Sequence, residues 1–168
     1  SLVGASTCTP CGVGKYSETV GAQVESACLL CPENTYSSAT GLSSIDQCSP
    51  CPIGTYSTDK GLTASSQCSL CAIGRFGTGN GQSKPCPIGT YQDLEGQSSC
   101  KACTAGKHRS TTGADKESDC LVCGAGTYSL SGASSCTSCP PGKDTSSPAG
   151  YTSANCGGDC PKGKYRDA

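Results

Sequence analysis

Apolar residues are sparse along this chain, and they show no 3.6-residue repeat of the kind that predicts an amphipathic helix. What recurs instead is a short phrase centred on one aromatic residue, as in Cys51-Pro-Ile-Gly-Thr-Tyr56. Pro52 and Gly54 suit positions i+1 and i+3 of a type I turn, and Thr55-Tyr56-Ser57 is a β-prone segment. The pattern therefore predicts short hairpins, with a second turn at Gly61.

Cysteines set the period of this phrase. They occur in close pairs, and the first four pairs follow one another at intervals of twenty residues. The pairs are Cys8/Cys11, Cys28/Cys31, Cys48/Cys51, Cys68/Cys71, Cys100/Cys103, Cys120/Cys123, Cys136/Cys139 and the wider Cys156/Cys160. Cys86 has no such neighbour, because Ser83 occupies the position where the first cysteine belongs. Two units carry a different residue at the aromatic position, namely His108 and Asp144.

These observations divide the chain into tandem repeats, each opened by the second cysteine of a pair or, at 86–102, by the single Cys86. Residues 1–10 are interpreted as the end of a preceding module, and 160–168 as the start of a further one that opens with Cys160-Pro-Lys-Gly-Lys-Tyr165. The eight repeats between them are predicted at 11–30, 31–50, 51–70, 71–85, 86–102, 103–122, 123–138 and 139–159. Repeat 4, at 71–85, is shortened. Because both edges lie inside the pattern, we expect the chain to be a piece of a longer array.

Composition indicates what holds such repeats together. Hydrophobic residues make up 34% of the chain, and that share includes 17 cysteines, one Phe and no Trp or Met. Ordering a repeat of this size costs on the order of 20–40 kcal/mol in backbone entropy. Burying one Tyr and two aliphatic side chains returns only roughly 5 kcal/mol. Covalent cross-links are therefore expected to hold each repeat in shape.

Three interpretations of the cysteines compete. The spacing C-x₂-C…C-x₂-C fits a zinc ribbon, but a zinc site uses four thiolates as a closed set, whereas these pairs run on without grouping into fours. A redox-active C-x-x-C sits at a helix start in a βαβ unit, and no such unit is predicted here. Structural disulfides in an oxidising compartment are the favoured interpretation. Spacing alone leaves two connectivities open: the second cysteine of one pair bonds the first of the next, or adjacent pairs bond first to first and second to second.

Charge and chemistry-bearing residues exclude several functions. The net charge is −1, with Lys and Arg interspersed among Asp and Glu, so no basic stripe for nucleic acid is present. The sequence has no run of about 20 apolar residues, which is the length needed to span a membrane. The one histidine, His108, is interpreted as a drifted aromatic position. We therefore predict no enzyme and no catalytic, cofactor or metal site, while the abundant Ser and Thr are candidate positions for O-linked sugars.

The phrase C-P-x-G-T-Y…S-x-C-x-x-C resembles the cysteine-rich repeats of ephrin-receptor-like and growth-factor-receptor-type ectodomains, and it is similar to the single-disulfide module of tumour-necrosis-factor receptors. The resemblance implies a small, disulfide-rich fold: an elongated tandem array of about 20-residue cysteine-closed, hairpin-like modules with almost no helix. It implies that an aromatic residue packs on the bridge of its own module, as Tyr16, Tyr36, Tyr56, Tyr91 and Tyr128 would. The implied bridges are Cys11–Cys28, Cys31–Cys48, Cys51–Cys68, Cys86–Cys100, Cys103–Cys120, Cys123–Cys136 and Cys139–Cys156.

Three cysteines are left over by this scheme. Cys8 and Cys160 are expected to pair outside the chain, and Cys71 is expected to be a free thiol, to form an intermolecular bond, or to take part in a local rearrangement such as Cys71–Cys86. The favoured function is a non-enzymatic, extracellular structural or adhesive protein, a spacer or filament that binds other copies of itself or other extracellular proteins. The alternative is the stalk or ligand-binding region of a receptor ectodomain, for which the charged stretch 101–119 is the nearest candidate surface.

Overall fold

A computed structural model of the protein describes residues 7–143 and 149–162, so the predictions for Asp144 and Tyr165 lie outside the described residues. In the described part the regular structure consists of short strands and four 3₁₀ turns, with no α-helix. The predicted fold class, a disulfide-rich series of cysteine-closed hairpins with almost no helix, is confirmed. The 3₁₀ turns are Glu25–Ala27, Ile45–Gln47, Ser65–Gln67 and Glu117–Asp119.

Each sheet has two strands that follow one another along the chain. The first three pairs are β1 (Lys15–Tyr16) with β2 (Leu29–Leu30), β3 (Thr35–Tyr36) with β4 (Ser49–Pro50), and β5 (Thr55–Tyr56) with β6 (Ser69–Leu70). The fourth is β7 (Arg75–Gly77) with β8 (Ser83–Pro85). The last three are β9 (Thr90–Tyr91) with β10 (Lys101–Ala102), β11 (Lys107–His108) with β12 (Leu121–Val122), and β13 (Thr127–Tyr128) with β14 (Thr137–Ser138).

The two residues inside the C-x-x-C form a strand in every such pair from Cys28/Cys31 to Cys136/Cys139. Ser69 and Leu70 pair antiparallel with residues of the phrase, Tyr56 opposite Ser69 and Thr55 opposite Leu70. Strands of two residues are long enough here, because each strand pairs with an equally short one and the flanking cysteines fix both of its ends. The C-x-x-C therefore closes a hairpin as well as linking two loops.

The turn of the phrase is closed by its own threonine. The backbone N–H of Thr55 donates to the carbonyl of Pro52 at 3.0 Å, and the Thr55 hydroxyl donates to the same oxygen at 2.7 Å. Gly54 has φ +82°, in the left-handed region where a Cβ is costly. Asn34, at the same position of its own loop, has φ +65°, as expected of the residue type that tolerates this conformation best after glycine.

The described residues divide into two compact units, one made of residues 7–71 and 77–83, the other of 72–76, 84–143 and 149–162. The first unit has a small core of Cys31, Leu42 and Cys48, against which Tyr16 packs. The second unit has an equivalent core of Tyr91, Cys103, Ala114 and Cys120. Each core thus combines a bridge with an aliphatic residue and an aromatic ring.

The aromatic rings do not pack where we expected. Tyr16 belongs to the loop closed by Cys11 and Cys28, yet it packs against the bridge Cys31–Cys48 of the following loop. The cause is a pairing between loops, in which Tyr16 forms a parallel β-bridge with Leu42 of that following loop.

The same displacement occurs in the second unit. Tyr91 forms a parallel β-bridge with Ala114 and packs on Cys103–Cys120, which is the bridge of the loop after its own. For these two tyrosines the prediction of packing on their own bridge is wrong. The core is shared between neighbouring loops.

Candidate functional site: the disulfide ladder and its unbridged loop

We call the seven bridges of the structure the disulfide ladder. Six bridges join the second cysteine of one pair to the first cysteine of the next, and the remaining one joins the single Cys86 to Cys100; the Cα–Cα distances run from 5.6 to 6.2 Å, within the usual range. The bridges are Cys11–Cys28, Cys31–Cys48, Cys51–Cys68, Cys86–Cys100, Cys103–Cys120, Cys123–Cys136 and Cys139–Cys156. The two sulfurs of one C-x-x-C therefore belong to different bridges wherever both are bonded.

Backbone hydrogen bonds join neighbouring loops within each unit. Between the 11–28 and 31–48 loops, the N–H of Gly14 donates to Ser37 at 2.9 Å, that of Ser17 to Leu42 at 3.0 Å, and that of Gly41 to Cys11 at 2.8 Å. The same three positions bond the 31–48 loop to the 51–68 loop, and the 86–100 loop to the 103–120 loop. These bonds satisfy backbone groups that packing between loops would otherwise bury without partners.

Loops two steps apart also meet, through glycine. A Cβ added at Gly14 would clash with the carbonyl of Gly61, and one added at Gly89 would clash with the carbonyl of Gly132. In each pair the first glycine belongs to the phrase and the second to the second turn of the loop after next. Gly14 and Gly89 are therefore needed for backbone-to-backbone packing as well as for the turns of their own loops.

Cys71 is a free cysteine in the structure, and it occupies the position of a bridged one. It is 0% exposed, like Cys31 and Cys103, and its N–H donates to Gly54 at 2.9 Å, as those two donate to the preceding phrase. Cys86 is bonded to Cys100, so the structure does not contain the rearranged pair Cys71–Cys86. A buried sulfur is also poorly placed for an intermolecular bond.

The two other cysteines outside the bridges differ from Cys71 in accessibility. Cys8 is exposed and Cys160 is partly buried. Cys160 still makes the backbone contact of an opening cysteine, its N–H donating to Gly142 at 3.1 Å. That Cys8 and Cys160 pair outside this chain stays a prediction.

The 71–86 loop departs from its neighbours in how it is held. Ser83 precedes Cys86 by three residues, as Cys68 precedes Cys71, but it lies in strand β8 opposite β7. The N–H of Thr78 donates to Gln82 inside the same loop at 3.1 Å. The N–H of Ser57, which in other loops would bond the following loop, donates instead to the side-chain oxygen of Asn34 at 3.1 Å. The unbridged loop thus has a hydrogen bond of its own and does not accept the one that Ser57 would donate in the other loops.

In the charged stretch 101–119, the candidate ligand surface of the receptor alternative, several charged side chains already have partners within the protein. Lys107 contacts Glu117 at 3.1 Å, and Arg109 donates to the carbonyl of Asp119 at 3.2 Å. Lys15 and Glu25 form the same cross-hairpin pair in the first unit at 3.0 Å. Because this pair recurs at equivalent positions, we interpret it as a feature of the repeat and not as a binding patch.

Lys101 is also paired within its own hairpin. It lies 5.9 Å from the centre of the Tyr91 ring and donates to Asp93, and this hydrogen bond lowers the pKa of the Asp93 carboxyl and raises that of Lys101. His108, at the aromatic position, lies half-buried in β11 opposite Leu121. In the described residues no group of three or more His, Cys, Asp or Glu side chains is placed to hold a metal ion.

Sequence reasoning did not single out the exposed aliphatic residues. Ile53, Ile73 and Ile88 share the third position of the phrase, and they are 66%, 45% and 48% exposed. Their recurrence at one position was visible in the sequence, although nothing local showed that the position faces solvent. Across the described ranges, no helix is both long and apolar enough to cross a membrane.

Comparison with known proteins adds the family. A family model described as "Tyrosine-protein kinase ephrin type A/B receptor-like" matches residues 1–48 and 74–120, which together exceed half of the chain. The gap between the two matched stretches contains Cys71 and the 51–68 loop. No curated protein matches the chain.

Proposed function

The chain belongs to the ephrin-receptor-like family of cysteine-rich repeats, and on that premise we propose that it is a non-enzymatic structural segment of an extracellular protein, acting as a spacer or as part of a filament. Disulfide-rich modules of this kind occur where the surroundings are oxidising, which supports a location outside the cell. The partners in this proposal are other copies of the chain or other extracellular proteins.

The observation that carries the proposal is the sharing of cores between neighbouring loops. Tyr91 reaches out of its own loop to pack on Cys103 and Cys120, and three backbone hydrogen bonds accompany this contact. A string of independent modules would bend freely at every joint, whereas loops that share a core resist bending. Repeats whose neighbours interlock in this way suit a stiff spacer better than a set of separate binding modules.

The family description favours a second candidate, the stalk of a receptor ectodomain. A stalk is also a spacer, so the two candidates differ in context and not in mechanics. A ligand-binding region is a different matter, because it calls for an exposed aromatic or charged cluster free to meet a partner. Lys107 and Lys101 are already paired within their own hairpins, which argues against the 101–119 stretch in that role.

Small-angle X-ray scattering of the oxidised protein tests the spacer proposal. A compact globular chain of this length has a radius of gyration of about 15 Å, and an unfolded one about 43 Å. We expect the oxidised chain to lie clearly above the compact value and to expand further when the bridges are reduced. A radius near 15 Å would contradict a spacer, while growth of the scattering mass with concentration would favour a filament over a stalk.

A further inference from the structure

We propose that the 71–86 loop is a built-in opening point of the array: it opens while all seven bridges remain intact, and its opening uncovers the thiol of Cys71. Its use rests on the proposed function, since a spacer under tension would lengthen here first. The opening itself is a property of the loop and can be measured without that premise.

The covalent connectivity singles out this stretch. Between successive bridges elsewhere in the ladder the chain runs through only two residues, as at 49–50 or 121–122. Between Cys68 and Cys86 it runs through residues 69–85 with no bridge across them. Fully extended, that stretch spans about 60 Å, against about 10 Å for a two-residue joint. It is therefore the segment that can lengthen without breaking a disulfide.

Non-covalent contacts are what close the loop. A Cβ on Gly77 would lie 2.7 Å from the Cα and the N of Gly54, so these two backbones touch directly. Gly79 lies against the side chain of Ile53, with 3.0 Å between its added Cβ and Cγ1. Glycine contacts of this kind bury little apolar area, and residues such as Thr78 are exposed. Local opening with a small free-energy cost is typical of such regions.

The reactivity of the Cys71 thiol can be used to measure that opening. Its side chain is 0% exposed in the closed loop, whereas Cys8 on the same chain is exposed. A thiol must reach solvent as thiolate to react, so the closed loop protects Cys71 and leaves Cys8 reactive. The two thiols thus provide a measurement and its internal reference in one molecule.

The experiment is alkylation of the oxidised protein with iodoacetamide, followed by peptide mass spectrometry at increasing denaturant. In the reaction the thiolate sulfur displaces iodide from carbon, and the thiol proton goes to solvent. We expect Cys8 to react at once, and Cys71 to react slowly at a rate that rises with a shallow denaturant slope. The loss of near-UV circular dichroism from the bridged loops should have a steeper slope, because more surface is exposed.

A matched pair of variants sharpens the test. Gly77→Ala forces a side chain into backbone atoms of Gly54 and should speed Cys71 alkylation about tenfold or more. Gly124→Ala adds the same methyl group where nothing lies within 4 Å, and should leave the rate within about threefold. The proposal is overturned if Cys71 reacts only in parallel with unfolding of the bridged loops, or if the two variants behave alike. Neither result would alter the scattering radius that tests the spacer proposal.

Discussion

Replacing Tyr91 by alanine tests whether the loops share their cores. Tyr91 is 9% exposed and packs with Cys103, Ala114 and Cys120, all of which belong to the loop after its own. Truncation leaves a cavity lined by the bridge of the following loop. The structure therefore predicts that the damage appears in the 103–120 loop more than in the 86–100 loop, to which Tyr91 belongs by sequence.

The expected magnitude follows from the burial of the ring. Large aromatic-to-alanine changes in protein cores cost about 3–5 kcal/mol, and a core this small and close to solvent should lie near the lower value. The cation–π contact with Lys101, at 5.9 Å, lies on the surface, where solvent screens it, and is left out of this magnitude. A cost of about 3 kcal/mol raises the population of the opened 103–120 loop by roughly a hundredfold.

Timed reduction measures this directly. A limiting concentration of dithiothreitol is applied, the reaction is quenched by alkylation, and each bridge is followed by its peptides. We expect Cys103–Cys120 to be reduced about a hundredfold faster in Tyr91→Ala, with a smaller change at Cys86–Cys100. Tyr91→Phe keeps the ring and should behave like the parent protein. If Cys86–Cys100 is the bridge that becomes labile, the ring protects its own loop and the shared core is refuted.

Three further changes have definite expected outcomes. Gly12→Pro places the proline of the phrase at a turn where the Gly12 carbonyl already accepts a hydrogen bond from the Lys15 N–H at 3.2 Å. It should stabilise the folded protein by about 0.4–1 kcal/mol, and a lower thermal midpoint would contradict this expectation. Ser83→Cys should form a bridge to Cys71, detected as a fall from the three titratable thiols Cys8, Cys71 and Cys160 to two, and worth about 3 kcal/mol in the chain-entropy model; Ser83→Ala is its control. Because Lys101 lowers the pKa of Asp93, this pair stabilises the fold above the ordinary carboxyl pKa, and the stabilisation is lost as the pH falls through the lowered pKa. Thermal melts at a series of pH values should show this dependence, and Asp93→Asn should abolish it. Salt should weaken the dependence because the pair is exposed.

The hairpins were predictable because everything that specifies them is local. Pro52, Gly54 and Thr55 set one turn within four residues, and each has a conformational reason to be there. Asn34 could also be placed correctly from sequence, since Asn is the residue that most often replaces glycine at positive φ. Turn chemistry of this kind needs no knowledge of what the rest of the chain does.

The partner of each aromatic ring could not be predicted in the same way. Tyr91 lies 23 residues before Ala114, and nothing in the local sequence distinguishes the bridge of its own loop from that of the next. One signal was present: the glycine of the second turn is followed by Leu42 and Leu62 at equivalent positions, and both are buried. An aliphatic residue that recurs after a turn glycine indicates a packing partner, and the aromatic residue of the preceding loop is the one it meets.

The unbridged loop shows that register and covalent closure are separate properties of this array. Cys71 and Cys86 both donate their N–H groups to the preceding phrase, at 2.9 Å to Gly54 and 2.9 Å to Gly74, although no bridge closes the loop between them. The phrase and its glycine contacts therefore position each loop, and the disulfide then limits how far that loop can open. A loop that loses its bridge keeps its place in the array and gains the freedom to extend. For that reason a single serine at a cysteine position, here Ser83, can change the mechanics of one segment while the hydrogen bonds of Cys71 and Cys86 to the preceding phrase are kept.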